Sequence, residues 1–187
     1  MIKRTLSLIL CIILLTITCG CLKPEDVLTE GISVADGETS RTISLDSYNV
    51  TFDIPSSWYV DMEDASVDLF CTNGVEYMSL YGFMAEEIET GVSFVQMWKR
   101  QNKTALESYD NPTELNHTPS FEATDKKFET AIYSAEVEGI KQYIYYIYVS
   151  PKENEDMFLW LSFGGSPSRV LDKFEEFEDI ADSVKFN

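Results

Sequence analysis

The sequence offers few of the side chains that catalysis requires. The single histidine among 187 residues is His117, and the polar run Asn116-His117-Thr118-Pro119 predicts a solvated loop position for it. One histidine cannot build a multi-histidine metal site. No G-x-S-x-G, G-x-G-x-x-G or Walker pattern occurs, and Gly164-Gly165-Ser166 is better interpreted as a turn into a capped helix. Carboxylate pairs such as Glu86-Glu87 are numerous because acidic residues are numerous, so a hydrolytic pair cannot be singled out. The sequence therefore predicts no metal and no cofactor.

An aromatic cluster is the best candidate for molecular recognition. Tyrosine combines an apolar ring with a polar hydroxyl, as recognition surfaces require. The alternative is that these rings fill the space between a sheet and its helices, and both interpretations stay open at the level of sequence. The candidate binding surface consists of Trp58, Tyr143, Tyr145, Tyr146, Tyr148 and Trp160.

The N-terminus has the layout of a secretory signal. Lys3 and Arg4 precede an apolar run over residues 6–17, which is shorter than the roughly 20 residues of a membrane-spanning helix. The ending Thr18-Cys19-Gly20-Cys21 resembles the lipobox of prokaryotic lipoproteins, which implies a diacylglycerol on a cysteine that becomes the mature N-terminus. Cys21 is favoured over Cys19 because the small Gly20 precedes it. Residues 1–20 are thus predicted to be the signal peptide, with a plain cleaved signal or an uncleaved anchor as alternatives.

Charge and cysteine usage limit the partners of the mature chain. All 32 acidic residues follow Cys21, whereas two of the 14 basic residues precede it, so the net charge becomes −20. Such a charge repels nucleic acid and anionic headgroups and keeps a domain soluble. After lipidation of Cys21, Cys71 has no disulfide partner in the mature chain. Cys71 alternates with Val67 and Leu69, so the three side chains share one face of a strand, which predicts a buried position for the thiol.

The mature chain divides into a tether and one domain. Residues 21–40 are acidic and lack a sustained apolar period, which predicts a flexible tether before a single domain over residues 41–187. Every second residue over residues 48–54 is apolar, which predicts a strand with one buried face. Asn73-Gly74 predicts a type I′ hairpin turn. Ser93 and Gln96 predict a capping box that begins a helix.

The second half predicts more strands and a final helix. Residues 110–126 are a polar connection. Residues 128–137 and 140–149 form a hairpin through Glu138-Gly139, and residues 157–161 form a central strand that is apolar on both faces. Ser166 and Pro167 begin the last helix. Its predicted buried stripe consists of Val170, Leu171, Phe174, Phe177, Ile180, Ala181 and Val184.

Two short motifs carry a family resemblance. Phe52-Asp53-Ile54-Pro55-Ser56-Ser57-Trp58 and Ile180-Ala181-Asp182-Ser183-Val184-Lys185-Phe186 resemble the PsbP-like and DcrB-like domains over about residues 41–187. The resemblance implies an α+β fold in which helices sandwich an antiparallel β-sheet. These families include photosystem accessory proteins and bacterial lipoproteins without an assigned activity. No functional residue of theirs has a counterpart here.

Together these features predict a lipoprotein at the extracytoplasmic face of the cell membrane. It would act as an accessory or binding module, with the membrane as one partner through its lipid and a protein or small ligand of the envelope as another. A carboxylate-based exported hydrolase and an envelope scaffold protein are the alternatives. A cleft with two carboxylates about 5–10 Å apart would favour the enzyme. A tyrosine-lined pocket would favour ligand binding. A closed core without a deep cleft would favour the scaffold protein.

Overall fold

A computed structural model describes residues 24–63, 65–88, 91–119, 121, 125–153 and 156–187. The predicted signal peptide and Cys21 lie outside this range. Within it, no helix is long and apolar enough to cross a membrane.

The described residues form eleven strands, three α-helices and two short 3₁₀ helices. The strands are β1 Ile32–Asp36, β2 Ser40–Leu45, β3 Val50–Pro55, β4 Tyr59–Val60, β5 Leu69–Thr72, β6 Tyr77–Met84, β7 Asp110–Leu115, β8 Lys126–Val137, β9 Ile140–Pro151, β10 Met157–Gly165 and β11 Lys185–Phe186. The α-helices are α1 Phe94–Leu106, α2 Pro167–Asp172 and α3 Phe174–Asp182, and the 3₁₀ helices are Asp46–Tyr48 and Ala85–Glu87.

The strands form two antiparallel sheets. Among the described residues, the small sheet has the order β1-β2-β3-β11 and the large sheet the order β4-β5-β6-β10-β9-β8-β7. Together with the three helices they make the α+β fold that the sequence predicts.

The large sheet separates two buried clusters. Its core face packs against the small sheet, α2 and α3, and this cluster contains Phe52, Trp58 and Phe177. Its α1 face packs against α1, and this cluster contains Trp98 and Phe158. β10 lies between β6 and β9 and is buried along its whole length, which confirms the predicted central strand. Layers therefore cover both faces of the large sheet, as predicted, with the small sheet added on one side.

The two predicted hairpins form, with different turns. Glu138 (φ 51°) and Gly139 (φ 78°) both have positive φ between β8 and β9, as a type I′ turn requires. Between β5 and β6 Gly74 has positive φ (85°) and Asn73 does not. The Asn73 N–H donates to the Glu76 carbonyl, so the central residues are Gly74-Val75. Glycine at the first central position is the preference of a type II′ turn, and the type I′ prediction at Asn73-Gly74 is wrong.

The helices confirm one prediction and correct another. Ser93 caps α1, and its side chain and that of Gln96 form the predicted capping box. The predicted final helix is two helices, since the backbone leaves the helical region at Lys173 (φ −119°, ψ 7°). Pro167 is the first residue of α2, as predicted, but the Ser166 side chain caps no N–H. Leu171, on the short helix before this break, is half exposed instead of buried.

The described part of the predicted tether belongs to the domain. β1 pairs with β2, and the Val27 N–H donates to the Val60 carbonyl at 2.9 Å. The acidic side chains of Asp26 and Asp36 bind the buried Arg41. A flexible tether over residues 21–40 is therefore wrong from residue 24 onward, because these acidic residues pair with a buried cation instead of solvating a linker.

The predicted polar connection over residues 110–126 contains an edge strand. β7 pairs with β8, with an irregular register between Asp110 and Thr113. Pro112 and the left-handed Asn111 (φ 49°) lie at this irregularity. Proline is tolerated there because an edge strand leaves one row of N–H groups unpaired.

Candidate ligand-binding site

Short side chains leave a depression in the α1 face of the large sheet. Ser79 on β6 lies directly opposite Ser162 on β10, and Ser162 lies opposite Tyr146 on β9. Because alternate residues of a strand share a face, the neighbours of this serine pair on the same face are two residues away along each strand.

Aromatic side chains border the depression. Tyr81 pairs with Trp160, and their rings stack with centroids 5.3 Å apart. The Tyr146 ring meets Trp160 edge-on at 5.4 Å. On the other side Tyr77 pairs with Gly164. A Cβ at Gly164 would lie 2.2 Å from the Tyr77 ring, so glycine is required for Tyr77 to occupy this place.

The C-terminal end of α1 covers the depression with small residues and one ring. Ala105, Ser108 and Tyr109 line it from above. Capping and aromatic packing hold α1 in position, since Trp98 meets Tyr148 at 6.1 Å. The result is a cavity of about 280 Å³, which we call the aromatic cavity. Its described lining is Tyr77, Ser79, Tyr81, Ala105, Ser108, Tyr109, Tyr146, Trp160 and Ser162.

The lining is neutral and rich in hydroxyl groups. Burial raises the pKa of Tyr77 and of Tyr146, and proximity and hydrogen bonding to Tyr109 raise both further. Burial also raises the pKa of Tyr81. These phenols therefore stay protonated at neutral pH. No charged side chain occurs among the described lining residues, and the buried indole N–H of Trp160 has no hydrogen-bond partner within the described chain.

The six aromatic residues predicted as one binding surface lie in different places. Tyr146 and Trp160 line the aromatic cavity, and Tyr148 lies in the same cluster beneath α1. Tyr145 and Trp58 are buried in the core on the opposite face, where Tyr143 packs half buried. The predicted single surface is wrong, because successive side chains of β9 point to opposite faces of the sheet.

His117 is not a solvated loop residue, and its side chain is 20% exposed. Its Nε2 lies 2.8 Å from Glu178 Oε1, and the Tyr145 hydroxyl donates to the same oxygen at 2.9 Å. Its ring also packs 4.1 Å from Phe174. The buried carboxylate explains this position, because it requires hydrogen-bond donors that the sequence does not place near it. The cluster ties the segment after β7 to α3.

Sequence reasoning missed most of the cavity. Tyr77, Ser79 and Tyr81 alternate along one strand, so the sequence predicts that they share a face. It does not predict that β10 brings Ser162 and Gly164 next to them. A metal centre has no support within the described residues, where no group of three or more His, Cys, Asp and Glu side chains could hold an ion.

Comparison with known proteins identifies the fold. No protein-family model and no curated protein matches this sequence. The solution structure of cyanobacterial PsbP (CyanoP) from Synechocystis is 14% identical, covers 90% of this chain and 97% of its own, and has a TM-score of 0.56. The Ran-binding protein Mog1p from Saccharomyces cerevisiae is 9% identical, covers 80% and 96% respectively, and also has a TM-score of 0.56. At these identities the likeness shows the fold alone: the chain has a PsbP- and Mog1-like fold, which confirms the PsbP-like resemblance, while the DcrB-like resemblance stays a prediction.

Proposed function

We propose that this protein is an accessory or binding module that holds a small molecule in the aromatic cavity. The cavity itself carries the proposal, because its ring walls and hydroxyl groups are the lining that small-molecule sites use. At about 280 Å³ the cavity is close to the lower end of the range of about 300–1,000 Å³ for ligand pockets, which suits a small ligand.

The alternatives have weaker support. A carboxylate-based hydrolase needs two acids at one cleft, and the described lining of the aromatic cavity contains none. Asp61 and Glu63 do border a separate open depression of about 340 Å³, where the Asp61 carboxylate accepts the backbone N–H of Glu63. A scaffold protein needs no cavity, so the open space beneath α1 favours ligand binding over a purely structural role.

A cavity-filling variant tests the proposal. We expect a panel of single-ring compounds, small aliphatic alcohols, amines and quaternary ammonium salts to include ligands that raise the melting temperature of the unaltered protein. At a hundredfold excess over Kd the expected gain is about 2.7 kcal/mol, or about 5 °C or more. Ser79→Leu should abolish this shift because leucine fills the floor. Ser44→Leu, on the outward side of the small sheet, is the matched control. A shift that Ser79→Leu preserves, or no shift with any compound, would contradict the proposal.

We also propose that a lipid on Cys21 holds the protein at the extracytoplasmic face of the cell membrane. The support is the sequence pattern of residues 1–21. Cys21→Ser should move the protein from the membrane to the soluble fraction or leave an unprocessed precursor, because two acyl chains are needed for stable anchoring. Cys19→Ser should leave it anchored. Labelled fatty-acid incorporation measures both variants, and labelling that survives loss of Cys21 but not of Cys19 would contradict the assignment.

A further inference from the structure

We infer that the ligand of the aromatic cavity is a quaternary ammonium compound of choline-like size. This inference rests on the proposed function of the cavity and names the chemical class of its ligand.

The first argument is the concentration of rings. Five aromatic side chains belong to the described lining: Tyr77, Tyr81, Tyr109, Tyr146 and Trp160. The face of an aromatic ring is negative, and it attracts a cation that lies within about 6 Å of the ring centroid, most strongly for tryptophan. Several rings around one small volume form the kind of cage that recognises quaternary ammonium groups.

The second argument is the lack of charged partners. A primary ammonium group has three N–H donors and loses its hydration on burial, so it needs acceptors or a carboxylate. A quaternary ammonium group has no N–H to satisfy. The described lining supplies no carboxylate. Part of its hydroxyl capacity is already used, because Ser108 donates to the Ala105 carbonyl at 2.6 Å.

The third argument is the electrostatic field. The whole chain has a formal net charge of −18, which raises the local concentration of small cations and lowers that of anions. The basic residues Lys99, Arg100 and Lys103 of α1 are exposed, and none of them lines the cavity.

The hydroxyl groups of the lining refine the ligand class. A ligand that carries a hydroxyl oxygen beside its ammonium group can exchange hydrogen bonds with the tyrosine and serine hydroxyl groups of the cavity. Choline has both features and is the probe of choice.

Calorimetric titration of the full chain with choline and with 3,3-dimethylbutan-1-ol, its uncharged isostere, tests the inference. The two compounds have the same shape, so their difference isolates the positive charge. We expect choline to bind at least about tenfold more tightly. Equal or tighter binding of the alcohol would overturn the cation inference while leaving the cavity as a binding site. Failure of the whole compound panel would overturn the proposed function as well.

Paired substitutions at one ring separate ring recognition from hydroxyl recognition. Tyr109→Leu removes the ring and should weaken choline binding about tenfold or more, whereas Tyr109→Phe should weaken it about threefold or less. Tyr143→Leu, on the opposite face of the sheet, is the control that should not change binding. Equal losses for the leucine and phenylalanine variants would overturn the inference. If Tyr109→Leu fails to fold, Tyr81→Leu against Tyr81→Phe makes the same comparison.

The same chemistry occurs free in solution and on lipid headgroups. Sedimentation with phosphatidylcholine vesicles, against phosphatidylglycerol vesicles as control, separates the two sources. If the protein binds phosphatidylcholine vesicles and Tyr109→Leu abolishes this binding, the ligand is a lipid headgroup. If the protein binds choline but not vesicles, the ligand is a free compound.

Discussion

Replacement of Arg41 should undo the docking of the N-terminal segment. The Arg41 side chain is 7% exposed and binds both oxygens of Asp26, whose side chain is 18% exposed. It also donates to the Trp58 carbonyl at 3.0 Å, and Asp26 accepts the Val60 N–H at 2.8 Å. The hydrogen bond to Asp26 is the main cause that raises the pKa of Arg41, so this side chain stays charged at every pH of interest.

The magnitude follows from the partners that Arg41→Met would leave behind. Removing one partner of a buried ion pair costs about 3–5 kcal/mol. Here Asp26 keeps its bond to Val60 and some contact with water, which lowers the cost. The second partner, Asp36, is 73% exposed, so its pair contributes at most about 1 kcal/mol. We expect a loss of about 3 kcal/mol in the free energy of unfolding.

Urea denaturation followed by tryptophan fluorescence measures this loss. Arg169→Met, at an exposed position of α2, is the matched control and should change stability by less than about 0.5 kcal/mol. The double variant with Asp26→Asn should lose less than the sum of the single losses, because the two side chains share one interaction. A urea denaturation curve of Arg41→Met equal to that of the control would refute the docking of the segment.

Three more predictions follow from burial. Trp58→Ala should lower the free energy of unfolding by about 3–5 kcal/mol because Trp58 is 1% exposed and meets Phe177 edge-on at 6.4 Å; a parent-like urea midpoint would contradict its core position. Cys71 is fully buried, and burial raises the pKa of its thiol. In a variant that combines Cys11→Ser, Cys19→Ser and Cys21→Ser, Cys71 is the one remaining thiol, and its labelling should be slow in buffer and fast in denaturant; fast native labelling would speak against the packing of β5. Burial also raises the pKa of Tyr145 and Tyr146 above the unfolded value of about 10. The stability that their neutral forms contribute is therefore complete below pH 10 and is lost as pH rises toward the folded pKa values. The loss is about 1.4 kcal/mol per pH unit for each tyrosine. A melting temperature that stays constant as pH rises above 10 would contradict their burial.

Local patterns in the sequence predicted local structure well. The capping box of Ser93 and Gln96 and the alternation that buries β3 depend on residues only a few positions apart. The turn prediction failed at Asn73 because its side chain accepts the N–H groups of Val75 and Glu76. This bonding favours a turn centred one residue later. The prediction of a hairpin survived because strand pairing, and not turn type, carries most of its stability.

Features that depend on distant residues were not readable from the sequence. Arg41 and Asp26 are 15 positions apart, and His117 and Glu178 are 61 apart, so neither pair leaves a local pattern. The cavity depends on register, which places Ser79 opposite Ser162. A shift of one residue would exchange the faces of the strand and close the cavity with core side chains.

The docked N-terminus changes what the proposed lipid on Cys21 would do. Asp26 is five positions after Cys21, and five residue steps reach at most about 17 Å. This is about two Debye lengths at physiological ionic strength, so the acidic domain would be held close to the membrane surface. Arg41, which fixes Asp26, lies on the buried side of β2, and the neighbouring Val27 bridges to Asp61 just after β4, an edge strand of the large sheet. The aromatic cavity lies farther along the same sheet, where β6, β10 and β9 are neighbours, and on its α1 face. The proposed lipid would therefore hold the β4 edge near the membrane, with β5 between that edge and the strands that form the cavity.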